Sequence, residues 1–157
     1  MLTVVTVCGL LVVLTTLLHY EVLRGLNAAL PSLPVADRAK LLVVIVAAFF
    51  AHAAEIAIYG VSLYVLVTYL GAGVLSGSAG TSFASCLYFS AETYTSLGFG
   101  DLTPVGPVRL LAGTEALNGL LLIGWSASFA YISMEKFWNA HARTSDRSRT
   151  TSRRAPR

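Results

Sequence analysis

The sequence predicts an all-α membrane protein with three transmembrane helices, a re-entrant half-length helix and a loop that follows this helix. Of its 157 residues, 55% are hydrophobic and only 12% are charged, and the mean hydropathy is +0.70, values that separate it from soluble domains. Three apolar runs are long enough to span a bilayer. Because hydrocarbon contains no water, backbone groups must be hydrogen-bonded within each segment, which favours helices.

The first apolar run predicts an N-terminal transmembrane helix over residues 1–28. A cleaved signal peptide is the alternative, but no Lys or Arg precedes the run and no clear small-residue cleavage site follows it. His19, near the end of this run, is expected at the membrane interface rather than as a metal ligand. Two prolines then interrupt helical continuation, so residues 29–40 are predicted to form a short cytoplasmic linker.

A long and a short helical segment come next. Residues 41–70 would extend about 45 Å as a helix, more than the hydrocarbon core requires, so this span is expected to tilt. Residues 71–81 are rich in Gly and Ser and predict a flexible loop, with Thr81 or Ser82 capping the helix that follows. A helix over residues 82–95 reaches only about 21 Å, so it must enter the membrane and return.

The charges around the third span, residues 108–137, indicate the orientation of the chain. Ten of the eleven Lys and Arg residues lie between the first two spans or after the third, and only Arg109 lies on the other side. The positive-inside rule then predicts a cytoplasmic C-terminus, with the N-terminus and the re-entrant loop outside. We expect a multi-pass protein of the cell membrane.

The stretch from Thr93 to Pro104, T-Y-T-S-L-G-F-G-D-L-T-P, is the candidate for non-helical backbone at membrane depth. Non-helical backbone at membrane depth is tolerated only where protein buries it or a water-filled path runs past it, and residues 96–101 are the candidate for such a path. Turning successive carbonyls toward one axis requires unusual backbone angles. Gly98 and Gly100 can adopt a positive φ without a Cβ penalty.

Residues 41–137 resemble the pore domain of the tetrameric potassium channels, in which an outer helix, a pore helix, a selectivity filter and an inner helix follow one another. The likeness is to small bacterial two-helix channels of the proton-activated type, whose pore helix and filter read E-T-A-T-T-V-G-Y-G-D. Here Glu92 to Asp101 read E-T-Y-T-S-L-G-F-G-D. Ten aligned positions in the right topological place make the resemblance specific, whereas a bare G-F-G would not. The N-terminal helix is an addition for which the resemblance implies no role.

The resemblance implies a homotetramer that conducts potassium passively, with no enzymatic step and no cofactor besides the permeant ion. The implied filter consists of Thr95, Ser96, Leu97, Gly98, Phe99, Gly100 and Asp101. The carbonyl oxygens of Ser96, Leu97, Gly98 and Phe99 would replace the water around each K⁺ ion. The side chains of Leu97 and Phe99 would point away from the axis, into the packing behind the filter.

Two departures from the family pattern leave other functions open. Ser96 replaces the family's threonine, and Phe99 replaces the commoner tyrosine and cannot donate a hydrogen bond to the pore helix. A weakly selective monovalent cation channel is therefore an alternative within the same class. A non-conducting membrane sensor or assembly subunit that retains the pore fold is an alternative from a different class.

Acidic and aromatic residues flank the predicted filter. Glu92 and Asp101 match an acidic pair that lies behind the filter in the proton-activated channels, where close carboxylates share a proton. The alternative is that Asp101 faces the outer mouth and Glu92 makes a local hydrogen bond. Tyr88 and Phe89 match the family's aromatic residues around the filter, and Tyr88 either donates to Asp101 or only packs there.

The third span contains three further candidate functional residues. Gly119 aligns with the family's gating-hinge glycine, and its alternative role is close packing against a neighbouring helix. Glu115 and Asn118 are polar groups in hydrocarbon, which indicates either a function or a buried hydrogen-bond network. A Glu115 side chain in the cavity would attract cations, whereas a Glu115 side chain in a network would support the filter.

His52 and Glu55 lie three residues apart on the second span and therefore share one helix face. A haem or metal site is not expected, because two ligands without a third at suitable spacing more often form a satisfied polar contact. Cys8 and Cys86 lie in apolar surroundings and are expected to be buried as small hydrophobic residues.

Residues 138–157 form an Arg-rich tail without apolar periodicity. They are predicted to be disordered and held near anionic lipid headgroups in the cytoplasm. Nucleic-acid binding is the weaker interpretation, because the tail follows a membrane helix directly.

Overall fold

The computed structural model describes the backbone of residues 1–77 and 81–154, and the side chains of that part except for residues 37, 38 and 137–154. The predicted tail residues 155–157 lie outside it. Its elements in chain order are α1 (Leu2–Ala29), a 3₁₀ turn (Leu30–Ser32), α2 (Asp37–Thr68), β1 (Val74–Gly77), α3 (Phe83–Tyr94), β2 (Leu102–Val105) and α4 (Val108–Arg154).

Three stretches of helix are long and apolar enough to cross a membrane. They are Leu2–Ser32, Ala39–Thr68 and Val108–Lys136. The helix between the second and the third of these, α3, has only 12 residues and is about 18 Å long, too short for a bilayer. The predicted architecture of three spans and one half-length helix is confirmed.

Helix α1 belongs to the bundle rather than standing beside it. Its buried residues recur every three or four positions and so form one stripe along the helix. They are Val4, Cys8, Leu11, Thr15, His19 and Leu23. This stripe packs against both α2 and α4. The sequence offered no role for α1, and the structure makes it part of the core.

The half-length helix α3 begins where the sequence predicts. Ser82 is its N-cap, and its hydroxyl oxygen accepts a hydrogen bond from the backbone N–H of Ser85 at 3.0 Å. The helix packs against α2 and α4, and Cys86 and Tyr94 on it are fully buried. Cys8 on α1 is buried as well, so the prediction for the two cysteines is confirmed.

The predicted loop over residues 71–81 contains a strand. Residues 74–77 form β1, which pairs antiparallel with β2, and Leu75 lies opposite Pro104. Glycines before and at the end of β1 permit this close pairing. A Cβ atom at Gly73 would lie 2.3 Å from the carbonyl oxygen of Val105, so a side chain there would clash. The small sheet ties the chain before α3 to the chain after the candidate filter.

The third span ends at Lys136, next to the predicted residue 137, but the backbone after it differs from the prediction. Helix α4 continues to Arg154, so the backbone of residues 138–154 is helical where the sequence predicted disorder. Between Trp125 and Arg154 the sequence contains neither Gly nor Pro. Extending an existing helix avoids the cost of nucleation, so a polar segment without breakers can continue the helix of an apolar one.

Gly119 on α4 provides the closest approach between α4 and α3. A Cβ atom at this position would lie 2.2 Å from the carbonyl oxygen of Tyr94, the last residue of α3. The structure therefore shows the close-packing role of Gly119, and the hinge remains a prediction.

Substituting Gly119→Ala is expected to destabilise the folded chain by about 1–3 kcal/mol, because the added methyl group must displace backbone rather than a flexible side chain. The free energy of unfolding in detergent micelles measures this effect. Gly124→Ala on the same helix is the matched control, since a Cβ atom there meets nothing within 4 Å. Equal unfolding free energies for the two variants would contradict the packing role.

Candidate functional site

The loop between α3 and β2 has an alternating backbone conformation. Ser96, Gly98 and Gly100 have φ angles of 58°, 57° and 80°, whereas Leu97 and Phe99 between them lie outside the positive region. A reversal of φ at every second residue allows successive carbonyl groups to face the same side of the loop. The predicted positive φ of the two glycines is confirmed.

Ser96 was not recognised from the sequence as a left-handed residue. It is the one non-Gly residue with positive φ in the part of the chain that the structure describes. A side chain in this region costs about 1–2 kcal/mol. Its position could have indicated this conformation. Ser96 lies two residues before Gly98, just as Gly98 lies two residues before Gly100.

Helix α3 holds the loop through the carbonyl groups at its C-terminus. The N–H groups of Leu97 and Gly98 donate to the carbonyl oxygen of Glu92 at 2.8 and 3.3 Å, and the N–H of Ser96 donates to Thr93 at 3.0 Å. The Thr95 hydroxyl donates to the Ala91 carbonyl at 2.8 Å. Carbonyl groups that have no partner at a helix end thus position the first residues of the loop.

The side chains of the loop are exposed when one chain is considered alone. Leu97 is 59% exposed and Phe99 is 67% exposed. The packing behind the filter that the sequence predicts for them is therefore not made within one chain. Thr95 and Asp101 at the two ends of the loop are exposed as well.

The aromatic and acidic residues around the loop are partly connected. The Tyr88 hydroxyl donates to Oδ1 of Asp101 at 3.2 Å, which confirms the predicted contact between α3 and the far end of the loop. Phe89 is buried in the core. Glu92 is buried too, and its Oε2 atom has no hydrogen-bond partner among the described residues. Proton sharing between Glu92 and Asp101 stays a prediction.

Glu115 is fully buried, and it joins α4 to α3. Its Oε1 atom lies within hydrogen-bond distance of the Ser90 hydroxyl, and the carbonyl oxygen of Ile56 on α2 lies 2.8 Å from the same hydroxyl, whose single proton can be donated to either oxygen. The other carboxyl oxygen of Glu115 has no partner in the described part of the chain. Of the two predicted roles for Glu115, the structure shows the supporting network.

Asn118 extends the buried polar contacts to α1. Its Nδ2 group donates to the Thr15 hydroxyl at 2.8 Å and to the Tyr59 hydroxyl at 3.2 Å. Thr15 itself donates to the Leu11 carbonyl one turn earlier in α1. Asn118 therefore links three spans, as the network alternative in the sequence predicts.

The predicted pair of His52 and Glu55 belongs to a larger cluster. Nδ1 of His52 lies 3.1 Å from Oε2 of Glu55, and Nδ1 of His19 lies 2.9 Å from Oε1 of the same carboxylate. The Tyr94 hydroxyl donates to Oε2 of Glu55 and lies 2.9 Å from Nδ1 of His52. The cluster thus joins α1, α2 and the end of α3.

The structure places His19 in a setting that the sequence did not indicate. His19 is fully buried between helices, where it contacts Glu55. It also supplies the third potential ligand whose absence argued against a metal site at His52 and Glu55. Position 19 is far from position 52 in the sequence, so only the packing of α1 on α2 brings them together.

The comparisons with known proteins agree with this architecture. A family model described as "Ion channel" matches residues 40–136, more than half of the chain. The chain therefore belongs to this ion-channel family, and its three apolar helices define it as a multi-pass membrane protein. The family points to a channel rather than an enzyme.

One curated relative connects the chain to potassium channels. The chain is 36% identical over 67 residues to "Inward rectifier potassium channel Kirbac3.1" of Paramagnetospirillum magnetotacticum, an alignment that covers 41% of this chain and 23% of that protein. The chain thus matches less than a quarter of its relative's length. No solved structure matches the chain significantly. The predicted resemblance to a potassium-channel pore domain is confirmed, although this relative is named as an inward rectifier.

Ser90→Ala is expected to lower the free energy of unfolding by about 1–3 kcal/mol, because it leaves Oε1 of buried Glu115 without its hydrogen bond. Equilibrium unfolding in mixed micelles measures the change. Ser128→Ala is the matched control, since this exposed hydroxyl only donates to the Gly124 carbonyl of its own helix. If both variants unfold like the parent chain, the Ser90–Glu115 contact does not support α3.

Proposed function

We propose that this chain assembles as a homotetramer that conducts K⁺ selectively and passively across the membrane. Each chain would contribute one loop to a central pore, with K⁺ bound by the carbonyl oxygens of Ser96, Leu97, Gly98 and Phe99. The observation that carries the proposal is the alternation of positive φ at Ser96, Gly98 and Gly100 directly after a half-length helix. Rings of backbone carbonyls are how potassium channels replace the hydration shell of the ion.

The exposure of the loop supports the assembly of several chains. One loop offers carbonyl oxygens from one side only, so a single chain cannot surround an ion. In such an assembly a neighbouring copy would cover the exposed side chains of Leu97 and Phe99. The potassium channel named above as a relative supports the choice of K⁺ as the permeant ion.

The proposed orientation follows from the charges. With most Lys and Arg residues either between the apolar part of α1 and the first turn of α2 or in the last third of α4, the N-terminus and the candidate filter would face outside and the C-terminus would face the cytoplasm. The Arg residues after position 142 would lie beside anionic lipid headgroups, which attract basic segments next to a membrane helix.

Ion flux into liposomes that contain the purified tetramer tests the function. We expect uptake of K⁺ to exceed uptake of Na⁺ and of a large organic cation by at least about tenfold, as carbonyl coordination favours the ion that fits it. Equal K⁺ and Na⁺ uptake would instead support a weakly selective cation channel. This alternative is open because Ser96 and Phe99 depart from the family's filter pattern. No uptake by assembled tetramers would overturn both channel functions.

Gly98→Ala is expected to reduce K⁺ uptake by more than about tenfold, because a Cβ atom in the left-handed region costs about 1–2 kcal/mol in each of the four chains. Gly124→Ala serves as control, since it adds the same methyl group to a helical position with open space. Both variants must elute as the parent oligomer. Parent-like uptake by the Gly98 variant would count against residues 96–101 as the ion path.

Glu92→Val tests whether the acidic pair responds to pH. If Glu92 and Asp101 share a proton, K⁺ uptake by the parent channel changes as the external pH is lowered, and the Val variant loses most of this dependence. Glu21→Val is the matched control, because Glu21 is exposed and pairs with Arg24 on α1. An unchanged pH response in the Glu92 variant would refute the shared proton.

A further inference from the structure

The cluster around Glu55 places two imidazole groups and one carboxylate at a single point in the bundle. One potential ligand atom from each of His19, His52 and Glu55 lies within 4.8 Å of the other two. His19 and Glu55 are fully buried, and the His52 side chain is 18% exposed. Such a concentration of ligand groups is costly to bury in a membrane protein, which makes a function for it the default expectation.

The identity of the groups matches a transition-metal site. Two imidazoles and one carboxylate are a ligand set that binds Zn²⁺, with metal–ligand distances of about 2.0–2.2 Å. A tetrahedral site of this size separates neighbouring ligand atoms by about 3.3 Å. The two imidazole nitrogens lie 2.9 and 3.1 Å from the Glu55 oxygens, so these contacts need to open by only a few tenths of an ångström.

The groups behind one ligand, His19, are arranged as in known metal sites. A histidine that binds a metal through one ring nitrogen usually donates a hydrogen bond from the other, which holds the ring in place. Nε2 of His19 lies 3.1 Å from the Ser126 hydroxyl on α4, and the Trp125 ring packs against the His19 ring at 5.5 Å between centroids. Nδ1 of His19 is therefore directed toward Glu55.

The fourth position of a three-ligand zinc site is filled by water or by another group. The Tyr94 hydroxyl lies beside this position, because it contacts both Glu55 and His52. Access is through His52, the one ligand of the three that is partly exposed.

We propose that His19, His52 and Glu55 bind Zn²⁺ or a similar transition-metal ion, which would fasten α1 to α2 next to the end of α3. The site would give α1 a structural role, because α1 supplies the ligand His19, which lies outside the matched channel region, residues 40–136. Tyr94 ends α3 immediately before the loop, so the ion would lie close to the helix that supports the candidate filter.

Metal titration of the purified full chain in detergent tests the site. The chain is stripped with a chelator, and Zn²⁺ binding is followed by calorimetry. Co²⁺ binding is followed by visible absorption, since tetrahedral Co²⁺ with nitrogen and oxygen ligands absorbs strongly. We expect about one ion of either metal per chain and no comparable binding of Mg²⁺, which prefers an octahedral set of oxygen ligands.

Variants separate this site from incidental binding. His19→Asn and His52→Asn each remove a ligand and are expected to weaken Zn²⁺ binding more than Ser126→Ala, for which a loss of about 10–100-fold is typical of the groups behind the ligands. His141→Asn is the matched control, because it removes the remaining histidine of the chain, which follows the third apolar run in the sequence. It should bind Zn²⁺ like the parent.

The wild-type titration decides the proposal even if a ligand variant fails to fold. Absence of Zn²⁺ and Co²⁺ binding by the well-folded parent chain would overturn it and leave the cluster as a hydrogen-bonded contact only. Binding that disappears in His141→Asn and persists in His52→Asn would also overturn it. These measurements do not involve ion flux. Their outcome is therefore independent of the proposed channel function.

Discussion

The structure depends on hydrogen bonds between buried polar side chains that hold α3 inside the bundle. In a membrane the hydrophobic effect does not drive helices together, since lipid is as apolar as the side chains it would release. A half-length helix needs other attachments. Ser90 in the middle of α3 bonds to Ile56 and Glu115, and Tyr94 at its end bonds to Glu55. These contacts place the C-terminus of α3, and therefore the loop that follows it.

Helix α1 also takes part in the buried polar contacts, through α2 and α4. Thr15 and His19 on α1 satisfy Asn118 on α4 and Glu55 on α2, respectively. Without α1, these two buried groups would lose partners inside the bundle, at a cost of about 1–3 kcal/mol for each group left unsatisfied. The additional helix thus accounts for polar residues in α2 and α4 that the pore-domain pattern alone leaves without an explanation.

The loop itself is built by backbone rather than side-chain chemistry. Its amide N–H groups donate hydrogen bonds to the last carbonyl oxygens of α3. The change of φ at alternate residues allows its own carbonyl groups to face one side. The two-stranded sheet then fixes the exit of the loop to the entry of α3. The loop is thus attached at both ends while its middle remains open, an arrangement that suits a surface completed by further copies of the chain.

The sequence by itself determined the three spans, the half-length helix, its cap at Thr81 or Ser82 and the glycines of the loop, because apolar length, capping chemistry and φ preference are local properties. It missed β1 and β2, whose pairing joins segments on either side of α3, and the helical continuation of α4, where no Gly or Pro stops the helix. Only the tertiary structure brought His19 to Glu55 and Gly119 to Tyr94, because contacts between distant segments depend on which helices pack together. No periodicity within one helix encodes that choice.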